Sequence, residues 1–502
     1  MMGRKDQSRS SKLFYILDLE KEIPEDHILR KIDALLDLSF LYEKVKGLYG
    51  YNGNESVDPV VIFKMWLIGY LFNIPSERKL VGELRLNLGY RWFLGYDYDD
   101  FIPTHSVLSK ARRRFGQRIF REIFEYMVLR CQEGRLVGGE TVFVDSSTIP
   151  ANASLDSIVP VIRIERSVDE YYQQLEEEGE KEGGRYSSEG LTSGGEVNRN
   201  FESGTDPDAG IVSRNGKDLQ ICYKDHRAVD GDYGIITQTQ ATSGDVSDDK
   251  MLKSLLEQQE RLGLDPEEVV GDKKYGTIEN YKELLRRGKK PHIPRSSSPH
   301  RKGYFSADDF RYDREADIFT CPGEKRLTKG HCSCSNKCWV YRAKAEDCFN
   351  CNLKDKCTTN KRGRRVNRPE EGEVVDLVKE ILVTPQARRN ITKRKWLVEG
   401  SFAEGKNLHL LRRALFRGLE WVQIQFYLVA TIQNLKKLVK YGWKKASAPA
   451  IQMEKVSVLS KVVFSFKKFH HWMQIWVNPI GSIWKYQSSG APDHIFTKPI
   501  AI

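Results

Sequence analysis

Three acids in this chain of 502 residues stand where metal or phosphate chemistry could be done. Asp145 closes the apolar run Thr141-Val-Phe-Val144, and Asp272 closes Glu268-Val-Val-Gly271. Both runs read as short buried strands that stop on a carboxylate. Acids at strand ends of an α/β sheet open into one crevice at the carboxyl edge. Glu399 lies in the basic segment Lys395-Trp-Leu-Val-Glu-Gly-Ser-Phe-Ala-Glu-Gly-Lys406, and Lys406 follows it by two helical turns on the same face. Two or three carboxylates suit hard divalent cations, which take oxygen ligands. An ammonium beside them suits a phosphate. Each acid alone is more readily a cap, a turn residue or surface charge; their joint placement carries the reading.

A second set is made of thiols. Seven of the nine cysteines fall between Cys321 and Cys357. No stretch reads as a signal peptide, so zinc is favoured over disulfides. Cys321, Cys348, Cys351 and Cys357 have tetrahedral-site spacing for a structural Zn²⁺. Cys332, Cys334, Cys338 and His331 are further partners, which leaves the ligand set open, and the competing reading is a set of reduced thiols in a basic loop. Lys361-Arg-Gly-Arg-Arg365 with Arg368 could grip a phosphate backbone. Cys131 and Cys222 stand alone and read as buried.

Charge narrows the partner. The net charge is +11, and residues 385–446 alone hold 14 Lys/Arg against Glu399, Glu404 and Glu420. That density points to a polyanion, above all nucleic acid, against the plainer reading of a solvated helix face. With 40% hydrophobic and 30% charged residues the chain is globular rather than disordered. Its longest apolar window, Val422 to Ile432, is about half of the ~20 residues a bilayer span needs, so no membrane role is expected. A cytoplasmic protein, at the nucleoid when bound to DNA, is the expectation.

These residues need elements to hold them. Asp58-Pro59 opens a densely apolar helix, Ser76 caps a second, and Thr104 caps a basic third carrying Arg112, Arg113 and Arg114. Residues 1–135 therefore read as a helical domain with a DNA-end-binding role. Residues 136–164 begin a mixed-sheet α/β domain. Residues 165–210 read as a flexible acidic and Gly/Ser-rich insert. Residues 211–300 resume the α/β domain with a hairpin turning at Asp230-Gly231-Asp232, an amphipathic helix from Asp248 to Leu262, and further strand and helix. Residues 301–384 form a cysteine-rich basic insertion, 385–446 return as helix, and 447–502 form a tail without a motif.

The ordered motifs resemble the DDE-type transposases of bacterial insertion sequences, and within them the group numbered eleven-eighty-two. The resemblance spans roughly residues 12 to 443. In the helical part it is carried by Ser56-Val-Asp-Pro-Val-Val-Ile-Phe-Lys-Met65, Leu88-Gly-Tyr-Arg-Trp-Phe-Leu-Gly95 and His105-Ser-Val-Leu-Ser109 with Arg112 to Phe115. Phe143-Val-Asp-Ser-Ser147, Ala151-Asn-Ala-Ser154, Thr205-Asp-Pro-Asp-Ala209 and Gly271-Asp-Lys-Lys-Tyr-Gly276 continue it. Glu399 to Lys406, His409-Leu-Leu-Arg-Arg-Ala414 and Arg417-Gly418 close it.

The resemblance implies a ribonuclease-H-like catalytic domain with Asp145, Asp272 and Glu399 as its acid triad and Lys406 as the lysine of its signature helix. The Tyr and Arg of that signature are replaced by Thr392 and Lys395, which leaves Glu404 as a rival third acid. It implies two Mg²⁺ (or Mn²⁺) ions, DNA cleavage and strand transfer at terminal inverted repeats and target DNA, and a homo-oligomer on DNA. Lys395, Lys406, Arg412, Arg413 and Arg417 are the expected phosphate contacts, with Arg112 to Arg114 from the helical part. The competing functions are a metal-dependent nuclease that cuts without joining and a DNA-binding repressor or architectural protein without chemistry.

Overall fold

The computed structural model describes residues 17–50, 55–161, 194–214, 218–295, 303–333 and 337–442. Cys334, most of the acidic insert and the tail at 447–502 lie outside the described residues.

Helix Pro59–Leu71 is apolar almost all round, so it must be covered on every side. Asp58 caps it through the Val60 and Val61 amides, at 2.6 and 3.3 Å. The helices Phe40–Val45, Glu77–Leu86, Leu88–Leu94 and His105–Glu133 surround it, and the C-terminal helix Leu419–Lys437 completes the cover. The N-terminal helices therefore share one hydrophobic core with the distant C-terminal helix. His105–Glu133 kinks at Gly116, where φ is +60°, and runs along Leu419–Lys437 with Phe124 stacked on Tyr427 at 5.6 Å.

The main sheet has six strands: β1 (Thr141–Pro150), β4 (Gly210–Arg214), β5 (Asp218–Asp230), β6 (Ile236–Ser243), β7 (Glu268–Val270) and β8 (Lys290–His292). β2 (Ile158–Pro160) and β3 (Phe201–Ser203) form a separate antiparallel pair. β5 is antiparallel to β1 on one edge, while β6 and β4 share its other edge. β7 and β8 add in parallel on the far side of β1. Alternation along β1 sends Val142 and Val144 to one face and Phe143 to the other. Helices Leu252–Arg261 and Ile278–Arg286 cover the valine face; Leu419–Lys437 and the basic helix Pro385–Leu408 cover the other.

The helix Leu419–Lys437 is buried along nearly its whole length yet carries Gln423, Gln425, Gln433 and Asn434. Each amide answers a buried backbone group. Asn434 accepts from the Ile236 amide and donates to its carbonyl, both at 2.8 Å, and Gln423 accepts from the Ala241 amide at 2.6 Å. The helix is thereby keyed to β6.

Three expectations change. β1 does not stop at Asp145 but runs on to Pro150, because β5 pairs with it throughout while β7 pairs only with Thr141 to Phe143. The basic stretch is two helices, broken at residues 409–418. The described end of the acidic insert, expected to be flexible, is built into the fold. Asp206 there accepts from Tyr223 Oη at 2.6 Å and from the Gly418 amide at 2.9 Å, and Asp208 accepts from the Leu419 amide at 2.8 Å. These acids cap the N-terminus of the buried helix, where Gly418 holds φ at +88°.

Residues 303–369 make a second sheet, all antiparallel: β9 (Arg311–Asp313), β10 (Ile318–Thr320), β11 (Arg326–Ser333), β12 (Cys338–Ala343) and β13 (Arg365–Pro369). Its core is small: Phe310, Phe319, Leu327, Tyr341, Ala343 and Val366.

Candidate active site

The last parallel pair between β1 and β7 is Phe143 with Val270. Asp145, still within β1, and Asp272, just past the end of β7, each lie two residues beyond it, at equivalent steps along the two chain segments. Asp272 caps a single turn, Lys273–Tyr275, by accepting from the Lys274 amide at 2.9 Å. Tyr275 is fully buried beneath that turn. Gly276 ends it: a Cβ there would lie 2.4 Å from the Pro294 carbonyl, so only glycine lets β8's exit pass.

Asp145 is mostly buried. Burial pushes its carboxyl up to about 6, Arg394 and the Ser146 amide pull it down, and the charges of Asp272 and Asp248 push it up. Asp248, at the start of the turn before Leu252–Arg261, is therefore a third acid in this field. It is buried and held by Lys224 and Lys274, each at 3.0 Å, which keep its carboxyl below the usual range despite burial. Acids crowded at one sheet edge are a donor set that a hard cation relieves.

Arg394 closes the arrangement. Its Nη1 donates to Asp145 Oδ2, and its Nη2 lies 3.8 Å from Glu399 Oε1. The guanidinium thus bridges two of the three expected acids. Glu399 is 61% exposed and reaches Asp145 only through Arg394. Among the described residues, no three His, Cys, Asp or Glu side chains converge as a metal-holding group. The oxygen donors fit a divalent cation in type, with Asp145 and Asp272 paired and Glu399 still turned to the arginine.

Glu404 is occupied elsewhere. It accepts from Lys436 and, at 3.2 Å, from Gln433, with His409 3.5 Å away, and these partners hold its carboxyl far below the usual range despite burial.

Two transposase families match this sequence: a transposase domain at residues 17–114, and a transposase DDE domain at residues 320–439. The chain belongs to the DDE-type transposases. No curated protein matches it. Among solved structures, a piggyBac transposase synaptic complex with hairpin DNA matches at 11% identity over 84% of this chain and 80% of that one. Its TM-score of 0.28 is too low to bear on fold or function.

The transposase places its expected DNA contacts unevenly. Lys395, Arg412, Arg413 and Arg417 are exposed. Arg413 donates to Asn152 Oδ1 at 3.0 Å and Arg417 to the Asn152 carbonyl at 3.1 Å, which ties the loop at 409–418 to the segment after β1. Arg113 and Arg114 are exposed, Arg114 lying 4.5 Å over the Tyr49 ring. Arg112 is not a surface group: it is buried, paired with Glu77, and lies 4.1 Å over Phe416. A helix turns its residues by 100° each, so neighbours in an Arg triplet cannot share one face. Lys406 is half-buried and donates to Ser147 Oγ at 2.6 Å and the Thr148 carbonyl at 3.3 Å, joining the basic helix to β1 just beyond Asp145.

Sequence reasoning missed Arg394, Asp248 and Lys274. Arg394 sits five residues before Glu399 on the same helix, a nearness in sequence that could have marked it. Nothing in the sequence around Asp248 distinguishes it from a helix-start acid.

Proposed function

We propose that this transposase is the enzyme of a bacterial insertion sequence, in the group numbered eleven-eighty-two, that cuts and joins DNA at the element's terminal repeats. The observation that carries it is the equivalent placement of Asp145 and Asp272, each two residues beyond the last parallel pair of β1 and β7, close enough for the charge of Asp272 to push up the Asp145 carboxyl. The strand order β6-β5-β1-β7-β8, three antiparallel strands extended by two parallel ones, supports a ribonuclease-H-like catalytic domain. The N-terminal helices are assigned to DNA-end binding and the cysteine-rich sheet to an insertion. The partners are the terminal inverted repeats, target DNA and a second copy of the chain.

In this reading Asp145, Asp272 and Glu399 would hold two Mg²⁺ or Mn²⁺ ions. When bound, such ions supply Lewis-acid stabilisation of the phosphate and of the attacking oxygen. The protein's own part is placement. Asp145 and Asp272 present oxygens at one sheet edge, and Glu399 joins them once Arg394 releases it to pair with the DNA phosphate. An arginine suits that exchange because its fork fits carboxylate and phosphate alike. Lys406 fixes the basic helix to β1, and Lys395, Arg412, Arg413 and Arg417 meet the backbone.

The test incubates purified protein with DNA carrying both flanks of its gene and Mg²⁺ or Mn²⁺, reading cleavage and joining for wild type, Asp145→Ala, Glu399→Ala and Glu404→Ala. Metal-dependent cut and joined products lost in the first two variants and kept in Glu404→Ala support the assignment. Cleavage without joining points to a nuclease. Binding without products in the wild type points to a repressor or architectural protein.

A further inference from the structure

The connection between β12 and β13 is held by almost nothing apolar. Its short helix Ala345–Phe349 and its turn Lys354–Lys356 bury no residue, and Phe349 is 74% exposed. The sheet it decorates has a core of only six buried residues. Small units with so little core are usually stapled by disulfides or a metal. Cys321, Cys348, Cys351 and Cys357 form no disulfide.

Four of them meet at this weak point. Cys321 starts the tight turn after β10, Cys348 and Cys351 sit on and just after the short helix, and Cys357 ends the following turn. Together they line a cavity of about 20 Å³, room for one small ion. A point 3.4 Å from Cys351 Sγ and 3.7 Å from Cys321 Sγ lies where a side chain on Gly323 would begin, so glycine keeps the space between them open. Backbone amides aim at two of the sulfurs: Lys325 N–H at Cys321 Sγ, 3.3 Å, and Arg364 N–H at Cys348 Sγ, 3.4 Å. Such donors stabilise negative sulfur, and Lys325, Lys354 and Arg364 around the cavity offset its charge. Cys332, Cys338 and His331 lie at the other end of the β11–β12 ladder, where Ser333 faces Cys338.

We propose that Cys321, Cys348, Cys351 and Cys357 bind one structural Zn²⁺ that staples the β10–β11 turn to the β12–β13 connection. The sulfurs do not converge as placed, so binding turns the four side chains toward the cavity they line. One Zn²⁺ then replaces four thiol protons, giving a site of net charge −2.

The test is metal content by plasma mass spectrometry of the purified full chain, with no DNA present, so it stands apart from the transposition assay. About one zinc per chain is expected, kept in Cys332→Ser and lost in Cys348→Ser and Cys357→Ser. Should those two variants fail to fold, alkylation of the wild type before and after chelation gives the same answer. Chelation must then expose these four thiols, mapped by peptide mass, in step with zinc release. Zinc-free wild type, zinc retained by Cys348→Ser, or chelation that exposes other thiols would overturn the site.

Discussion

Asp145 in β1 and Asp272 just after β7 each stand two residues beyond Phe143 and Val270, the last pair where the two strands run in parallel. Replacing either carboxylate by its amide keeps the size and the backbone bonds but removes the anionic donor. Asp145→Asn and Asp272→Asn should each slow DNA cleavage at least a hundredfold, about 2.7 kcal/mol of barrier, while DNA affinity changes little. Single-turnover cleavage beside a binding titration reads this directly, and cleavage within tenfold of wild type would remove the residue from the site.

Arg227 is a fully buried cation on β5. It pairs with Asp225 at 2.8 Å, donates to Ser401 Oγ at 2.8 Å and Gln433 Oε1 at 2.9 Å, and lies 4.5 Å from the Phe402 ring centre. It therefore ties the sheet to both C-terminal helices. Arg227→Met leaves Asp225 buried without its partner and should cost roughly 3–5 kcal/mol of stability. Urea unfolding measures it; a loss below about 1 kcal/mol would contradict this role.

His226, buried next to Arg227, should make stability depend on pH. Burial pulls its imidazole down to about 4, and its Nε2 lies 2.9 Å from Thr242 Oγ1. The unfolded chain, with an ordinary histidine near 6.5, binds the proton more readily between these values. The stabilisation is thus complete above pH 6.5 and is lost as pH falls toward 4, on the order of 3 kcal/mol in all. His226→Gln should flatten that part of the stability profile relative to wild type, and identical slopes would show that His226 is not buried neutral.

Exposed arginines in the loop at 409–418 should set the salt dependence of DNA binding. Arg412→Gln and Arg417→Gln are each expected to lower the slope of log affinity against log salt by about one. Arg112→Gln should leave the slope unchanged and reduce stability instead, because Arg112 is buried against Glu77 and Phe416. Fluorescence anisotropy at several salt concentrations separates the two outcomes.

Local pattern by itself determined the elements that carry chemistry. The apolar runs before Asp145 and Asp272, the Asp58-Pro59 helix start and the turn at Asp230-Gly231-Asp232 all encode short-range backbone preferences, and the fold has elements there. The ordered motifs also identified a DDE transposase. What the sequence left open depends on contacts between residues far apart in the chain. Arg394 meets Asp145 across 249 positions, and Asp206 caps a helix 212 positions on. Arg112 is inside because the Phe416 loop covers it, and β1 extends past Asp145 because β5 is long enough to pair with all of it. Cys332 and Cys348 look alike in sequence, yet Cys332 pairs at one end of the β11–β12 ladder while Cys348 sits on the helix that follows its other end. Spacing sets which residues can share an element; only packing sets which elements bring their side chains together.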